Sequence, residues 1–278
     1  MSDLDYEAQY NNRRRVPEHV DINARWSAAS AAYRCKNGAR LDSVYGPGER
    51  QRYDFFPAAA ELSPLLVYIH GGYWQRGDRT DYAFIARELN AAGISVALPS
   101  YSLCPKVTVM EIVEELRSFL VHLWQQSKIH PLVIGHSAGG HLTAAMLASD
   151  WSKTANVPSD LVRAGYAISG VFELGPLLGT SLNEALRLTP ETAQAASPMF
   201  WPPPPKARVF AAAVGGLESE EFLRQSRTMA RTWRQSGVTA EDVVVPGTNH
   251  FTIVDELIRP TSPIFKSVVA LARTIAVR

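Results

Sequence analysis

Short, unbroken apolar runs alternate along this chain with longer amphipathic stretches. Leu65-Leu66-Val67-Tyr68-Ile69, Ile94 to Leu98, Leu132 to Ile134, Ala164 to Ile168, Val209 to Val214 and Val243 to Val245 are such runs. Each has the pattern of a strand buried on both faces. Between them, helical spacing predicts helices over Tyr82 to Ala92 (stopped by Gly93), Thr108 to Gln126, Leu142 to Ser149, Glu220 to Gln235 and Phe265 to Ala276. The second of these carries Ile112, Leu116, Phe119, Leu120 and Leu123 on one stripe. An earlier helix is predicted over Val20 to Tyr33, where Ile22, Trp26, Ala29 and Tyr33 recur at helical spacing and Trp26 serves as a core anchor. After Asn37-Gly38, the alternating stretches Ser43 to Tyr45 and Arg52 to Phe56 flank Gly46-Pro47-Gly48, which predicts an antiparallel hairpin at a sheet edge. The alternation as a whole predicts an α/β fold, a mostly parallel sheet covered by helices on both faces.

The pattern turns irregular between Val171 and Pro205, with short helical stretches at Leu182 to Leu188 and Pro190 to Ala196. A small cap over the sheet is expected there. Pro202 to Pro205 fit neither a helix nor a central strand and read as a stiff extended connector. No internal repeat interrupts the scheme, and 278 residues suit one α/β domain spanning 1–278.

Charge removes several classes of partner. With 28 basic and 27 acidic side chains the net charge is +1, so neither nucleic acid nor an anionic membrane is an expected partner. Arg13 to Arg15 read as a solvated surface patch. Cys35 and Cys104 are the two cysteines, too few for a disulfide framework or a paired-cysteine metal site. No metal or other cofactor is expected. The polar start, Met1 to Arg15, lacks a signal-type apolar segment, and no run reaches the ~18 apolar residues of a membrane span. A cytoplasmic protein acting on a small molecule is the expectation, with oligomeric state, including a homodimer, left open.

The chemistry gathers around Val133-Ile134-Gly135-His136-Ser137-Ala138-Gly139-Gly140-His141-Leu142. This is a strand end, a Gly-x-Ser-x-Gly turn and a helix start, the setting that holds a serine exposed on a strained corner. Gly135 and Gly139 suit it because bulkier residues there would collide with the neighbouring strand and helix. Ser137 is therefore the candidate nucleophile. Acyl transfer by serine also needs a base, a carboxylate to orient it, and oxyanion donors. His250 follows the last predicted strand in a loop and is the candidate base. Glu218 precedes a helix in the loop after Val209 to Val214 and is the favoured acid, with Asp242 and Asp255 as weaker alternatives. Glu220 and Glu221 sit in the first turn of that helix, where complementing its dipole accounts for them. Gly71 and Gly72, after His70, and Ala138, after the nucleophile, are candidate backbone donors for an oxyanion hole. Tyr73, Trp74, Tyr101, Phe172 and Trp201 fall in or near loops at the same end and are candidates for an aromatic wall, and Asn183 in the cap is a candidate polar contact.

These segments resemble the α/β-hydrolase superfamily, and within it the arylformamidases, or kynurenine formamidases. His70-Gly71-Gly72-Tyr73-Trp74 is similar to their HGGxW motif, where hormone-sensitive-lipase-type esterases usually carry a third glycine. GHSAGGHL (Gly135 to Leu142), ESxEFxRQS (Glu218 to Ser226) and NHF (Asn249 to Phe251) are similar to the family's nucleophile, acid and histidine segments. The likeness runs from about Tyr45 to Leu257. It implies Ser137 as nucleophile, Glu218 as acid and His250 as base without a metal, although the acid is often aspartate in the family. The implied reaction is hydrolysis of an N-formyl aryl amide, such as N-formylkynurenine, to formate and an aromatic amine. An amidase for longer N-acyl anilides such as N-acylanthranilates, or a broad carboxylesterase, would use the same triad. A non-catalytic hydrolase-fold binding protein is the alternative of another class, and fold alone does not exclude it.

Overall fold

The structure, a computed structural model, describes residues 4–36, 38–60 and 62–276. Among these, eight strands form one sheet in the order β1-β2-β4-β3-β5-β6-β7-β8. They are β1 (Arg40–Val44), β2 (Arg52–Phe56), β3 (Leu65–Ile69), β4 (Ser95–Pro99), β5 (Pro131–His136), β6 (Ala164–Ile168), β7 (Val209–Gly215) and β8 (Thr239–Val245). β2 runs antiparallel to both β1 and β4, and every other neighbouring pair is parallel. The expected edge hairpin is present; of the turn before it, Gly38 is described and Asn37 lies outside the described residues.

Strand pleating divides the interior into two cores, because successive side chains point to opposite faces. From β3, Leu65, Val67 and Ile69 enter one core, while Leu66 and Tyr68 enter the other. The second core is covered by α3 (His19–Arg34), α4 (Ala86–Ala91) and α10 (Pro263–Ala276). α5 (Val109–Ser127), α6 (Ala138–Ala148) and α9 (Glu220–Gln235) close the first. Trp26 of α3 is 2% exposed, the buried anchor its spacing implied. α5 starts in a capping box, Thr108 with Glu111, and ends at Lys128 in a left-handed conformation, so its ends satisfy their own backbone groups.

Two local expectations need correction. The helix predicted over Tyr82 to Ala92 is broken: 3-10 turns over Arg79–Asp81 and Ala83–Ile85 precede α4. Tyr82 adopts φ −120°, and the Phe84 N–H donates to Ser30 Oγ of α3, so packing on α3 replaces an intrahelical bond. The N-terminal stretch, assigned no elements from sequence, forms α1 (Tyr6–Tyr10) and α2 (Asn12–Arg15). Their N-caps are Asp5, accepting from the Ala8 N–H, and Asn11, accepting from the Arg14 N–H.

The stretch 171–205 contains a 3-10 turn at Gly175–Gly179, α7 (Asn183–Leu186), α8 (Pro190–Ala195) and a turn at Pro198–Phe200. Pro202 to Pro205 have no regular structure, as a connector requires. α1 packs on the Gly175–Gly179 turn and on α9. Among the described residues, no helix is long and apolar enough to cross a membrane.

Candidate active site

The C-terminal ends of the parallel strands deliver the chemistry, as they do in open α/β sheets. β5 ends at His136, and Ser137 turns the chain into α6 with φ 58° and ψ −119°, a conformation that few side chains tolerate. The flanking glycines are sterically required. A Cβ on Gly139 would sit 2.0 Å from the Ile69 carbonyl oxygen of β3, and one on Gly135 would sit 2.2 Å from the Gly139 carbonyl oxygen. The Ser137 N–H is spent on the Ile168 carbonyl at 2.8 Å, tying the corner to β6. Ala138 is the first residue of α6, so its N–H has no intrahelical acceptor.

Glu218 and His250 meet from the loops after β7 and β8. His250 Nδ1–H donates to Glu218 Oε2 at 2.6 Å. Glu218 Oε1 accepts from the Gly215 N–H at 2.7 Å and from Ser169 Oγ at 2.5 Å. The longer glutamate arm is thus held at three points, and Ser169, at the end of β6, is a functional residue that no sequence motif marked. With Nδ1 carrying the proton, His250 Nε2 is left as the basic nitrogen. The NHF loop is shaped by Asn249, whose Oδ1 accepts from the Phe251 and Thr252 N–H groups. His136 Nε2–H donates to the His250 carbonyl at 2.7 Å. Burial, with the neighbouring His250, lowers the pKa of His136 well below the usual imidazole value, so its ring stays neutral. The competing carboxylates have other work: Asp255 binds Arg25 and the Trp26 indole N–H, Asp242 pairs with Arg234, and Glu221 binds Arg224 and Tyr10. Glu220 is exposed at the start of α9.

The His70-Gly71-Gly72 loop lies against Ser137. A Cβ on Gly71 would approach Ser137 Cβ to 3.0 Å and the His136 carbonyl to 2.7 Å, and Gly72 has φ +116°. His70 is fully buried, stacked on Tyr101 at 4.3 Å, and its Nδ1–H donates to the Gly71 carbonyl at 2.8 Å. This bond fixes the plane of the Gly71–Gly72 peptide. Burial lowers the His70 pKa to about 4, so the donor does not add a second proton near neutrality.

Ser137, His250, Gly71 and Gly72 line one cleft of about 400 Å³. Among the described residues no hydrogen bond joins Ser137 to His250; such bonds often tighten only with substrate in place. The expected aromatic wall needs revision. Tyr73 lines the cleft, but Trp74, Tyr101 and Asn183 do not. Trp74 is fully buried with its ring against His141. The Tyr101 hydroxyl donates to the His70 carbonyl and so braces the loop. Asn183 bonds the Leu178 and Leu188 carbonyls and the Leu188 N–H within its own segment. Phe172 packs on Phe210 in the core, and Trp201 donates to the Ala195 carbonyl. The rings on the cleft wall are Tyr10, Trp26, Tyr73, Tyr82 and Phe251.

Tyr10 comes from the unassigned N-terminus. The Tyr73 hydroxyl donates to the Tyr10 carbonyl at 2.6 Å and accepts from Asn12 Nδ2, while the Tyr10 hydroxyl donates to Glu221 and accepts from Gln225. α1 and α2 are thereby strapped across the cleft; Arg13 is exposed, as its reading as surface implied, and also borders the cleft. The local sequence carries no signal for this, since the contacts join residues from 61 to 215 positions apart.

The α/β-hydrolase fold family model matches residues 66–254. The kynurenine formamidase of Salmo salar is 35% identical over 78% of this chain and 76% of its own length. That of Danio rerio is 31% identical over 93% and 92%. Among solved structures, a Silicibacter sp. protein with a provisional thioesterase assignment superposes with a TM-score of 0.87 at 30% identity, covering 96% of this chain and 99% of its own.

Proposed function

The chain belongs to the α/β-hydrolase family, and from that premise we propose that it is an arylformamidase, hydrolysing N-formyl aromatic amides through a formyl-enzyme. The observation that carries this is the union of a Ser137–His250–Glu218 set with an aromatic-walled cleft, in a chain similar to kynurenine formamidases over most of its length. Ser137 Oγ bonds to the formyl carbon as His250 Nε2 takes its proton. Glu218 holds the imidazole and stabilises the imidazolium. The oxyanion is stabilised by the Ala138 N–H and the N–H groups of the Gly71-Gly72 loop, which are fixed before reaction. The C–N bond breaks as His250 returns the proton to the departing aniline nitrogen, a weakly basic leaving group that one imidazole suffices to protonate. Water, deprotonated by His250, then attacks the formyl ester, releasing formate and restoring Ser137. Tyr73 and Phe251 supply ring faces for the aryl group.

The test is steady-state hydrolysis of N-formylkynurenine beside p-nitrophenyl acetate. Turnover of the formamide at kcat/KM of ~10⁴ M⁻¹s⁻¹ or above, abolished in Ser137→Ala, is expected. Ester hydrolysis with negligible formamide turnover would overturn the amide assignment and leave an esterase.

A further inference from the structure

The cleft wall holds two arginines that the triad does not use, Arg13 of α2 and Arg76 of the loop after Gly72. Arg76 is placed tightly. Its N–H donates to the Gly72 carbonyl at 3.2 Å, and its Cγ and carbonyl stand where a Cβ on Gly72 would be, at 2.9 and 2.2 Å. Arg13 is an exposed residue on the cleft rim, next to Asn12, whose side chain bonds the Tyr73 hydroxyl. The loop that lies against Ser137 therefore places Arg76 and, through Tyr73, anchors the backbone that carries Arg13.

What sets Arg76 apart is the lack of a partner. Among the described residues, every other arginine that is at least part-buried is engaged: Arg34 and Arg79 by Asp54, Arg50 by Asp78, Arg52 by Asp42, Arg117 by Glu114, Arg163 by Asp160 and Arg208 by the Ser159 carbonyl. Among the described residues, neither Arg76 nor Arg13 has a carboxylate within ion-pair distance. Asp81, the carboxylate on the cleft wall, is bonded by Ser27 Oγ and pairs with neither. Burial and then the charge of Arg13 lower the pKa of Arg76. Arg76 is a half-buried guanidinium without a counter-ion in the field of a second cation, and its planar fork matches a carboxylate.

We propose that Arg13 and Arg76 form the subsite that binds a carboxylate on the amine side of the scissile bond. The placement rests on the formamidase reading, because a formyl group has no substituent that could bear the charge. The two arginines then bind the anion while the aromatic walls hold the ring, fixing the formyl carbon over Ser137.

The experiment compares formanilides carrying a ring or side-chain carboxylate with their methyl esters, read as release of the arylamine, in wild type, Arg13→Gln, Arg76→Gln and Arg76→Lys. A charge-assisted contact supports a preference of about tenfold or more in kcat/KM. The wild type is expected to favour the carboxylates by that factor, chiefly through KM, and to lose the preference as salt is raised. Each Gln variant is expected to cut the ratio of carboxylate to ester kcat/KM at least several-fold, and Arg76→Lys to keep more of it than Arg76→Gln. A wild type without preference, or a preference that survives both Gln substitutions, overturns the subsite. Failure of the formamidase reading looks different: no arylamine is released from any formanilide while aryl acetates are cleaved. In that event the same ratio, taken on acetoxybenzoates against phenyl acetate, decides the subsite by the same criteria. Fluorophosphonate labelling of Ser137 in every variant shows that each is folded.

Discussion

Ser137 sits at a backbone conformation that only the surrounding contacts make tolerable, and Gly139 shows how little slack there is. The hydrogen of Gly139 faces the backbone of β3, with the Ile69 carbonyl oxygen and carbon 2.0 and 2.7 Å from where a Cβ would go. Neither can move without breaking the β3–β5 ladder. Gly139→Ala is expected to cost at least about 2–3 kcal/mol through overpacking, lowering Tm by roughly 5–10 °C in a chain of this size. Gly175→Ala is the control, since nothing lies within 4 Å of its Cβ position and its φ is not positive. Equal Tm values for the two variants, measured by calorimetry, would refute the steric account. This rigidity also explains what was legible residue by residue. Gly135, Ser137, Gly139 and the Gly71-Gly72 pair encode their own geometry, so their neighbourhood follows from local sequence. Trp74, Tyr101 and Asn183 carry no such code. Which way a loop side chain faces is decided by partners far along the chain, and these three turn to His141, to the His70 carbonyl and to their own segment.

The elements divide by the same logic. Apolar runs with both faces buried gave β3 and β6 to the residue, and the stripe on α5 gave that helix almost whole. α1, α2 and the broken start of α4 escaped because five-residue helices and 3-10 turns show no periodicity. They exist by docking, α1 on α9 and Phe84 on Ser30. Helix α6 and the stretch 171–205 are joined by a buried histidine, whose effect is measurable. His141 is fully buried, and its Nε2–H donates to the Ala196 carbonyl at 2.7 Å. Burial lowers its pKa from the ordinary 6.5 to about 4, and His70 is lowered equally by the same cause. The unfolded chain therefore takes up protons below pH 6.5 that the native ring refuses. Stability from the neutral ring is complete above pH 6.5 and is lost as pH falls toward 4. His141→Gln removes one such proton from the balance. Its free energy of unfolding, from urea titrations between pH 7 and 5, is expected to fall less steeply than that of the wild type, approaching ~1.4 kcal/mol less per pH unit at the acid end. Parallel slopes would show that His141 takes up its proton in the native protein as well.

At the scale of the whole molecule, a sheet that presents its strand ends to one cleft is closed by the end of the chain farthest in sequence from the acid and base. Tyr10 is fully buried, and its hydroxyl reaches Glu221, 211 positions away; Ser181 donates through its N–H to Glu7 Oε2. This strap was the part of the site least legible in the sequence, for a short polar segment acquires its role only from the surface it covers. Its contacts separate from those of the proposed triad, since Ser137, Glu218 and His250 all come from strand ends and bond to groups at the ends of β6 and β7 and in the loops after them. Deleting residues 1–15 is therefore expected to leave Ser137 reactive toward a fluorophosphonate. The same deletion removes Tyr10 and Arg13 from the cleft wall and frees the Tyr73 hydroxyl. KM for an aromatic formamide is expected to rise by about tenfold or more, because the cleft wall opens to solvent and one charged contact is lost. Losing the buried Tyr10 side chain costs about 2–3 kcal/mol, so Tm is expected to drop by about 5–10 °C without unfolding the sheet at room temperature. Labelling measured beside KM distinguishes the outcomes. Labelling retained with KM unchanged would mean that the strap covers the cleft without touching substrate, whereas labelling lost would mean that it supports the triad itself.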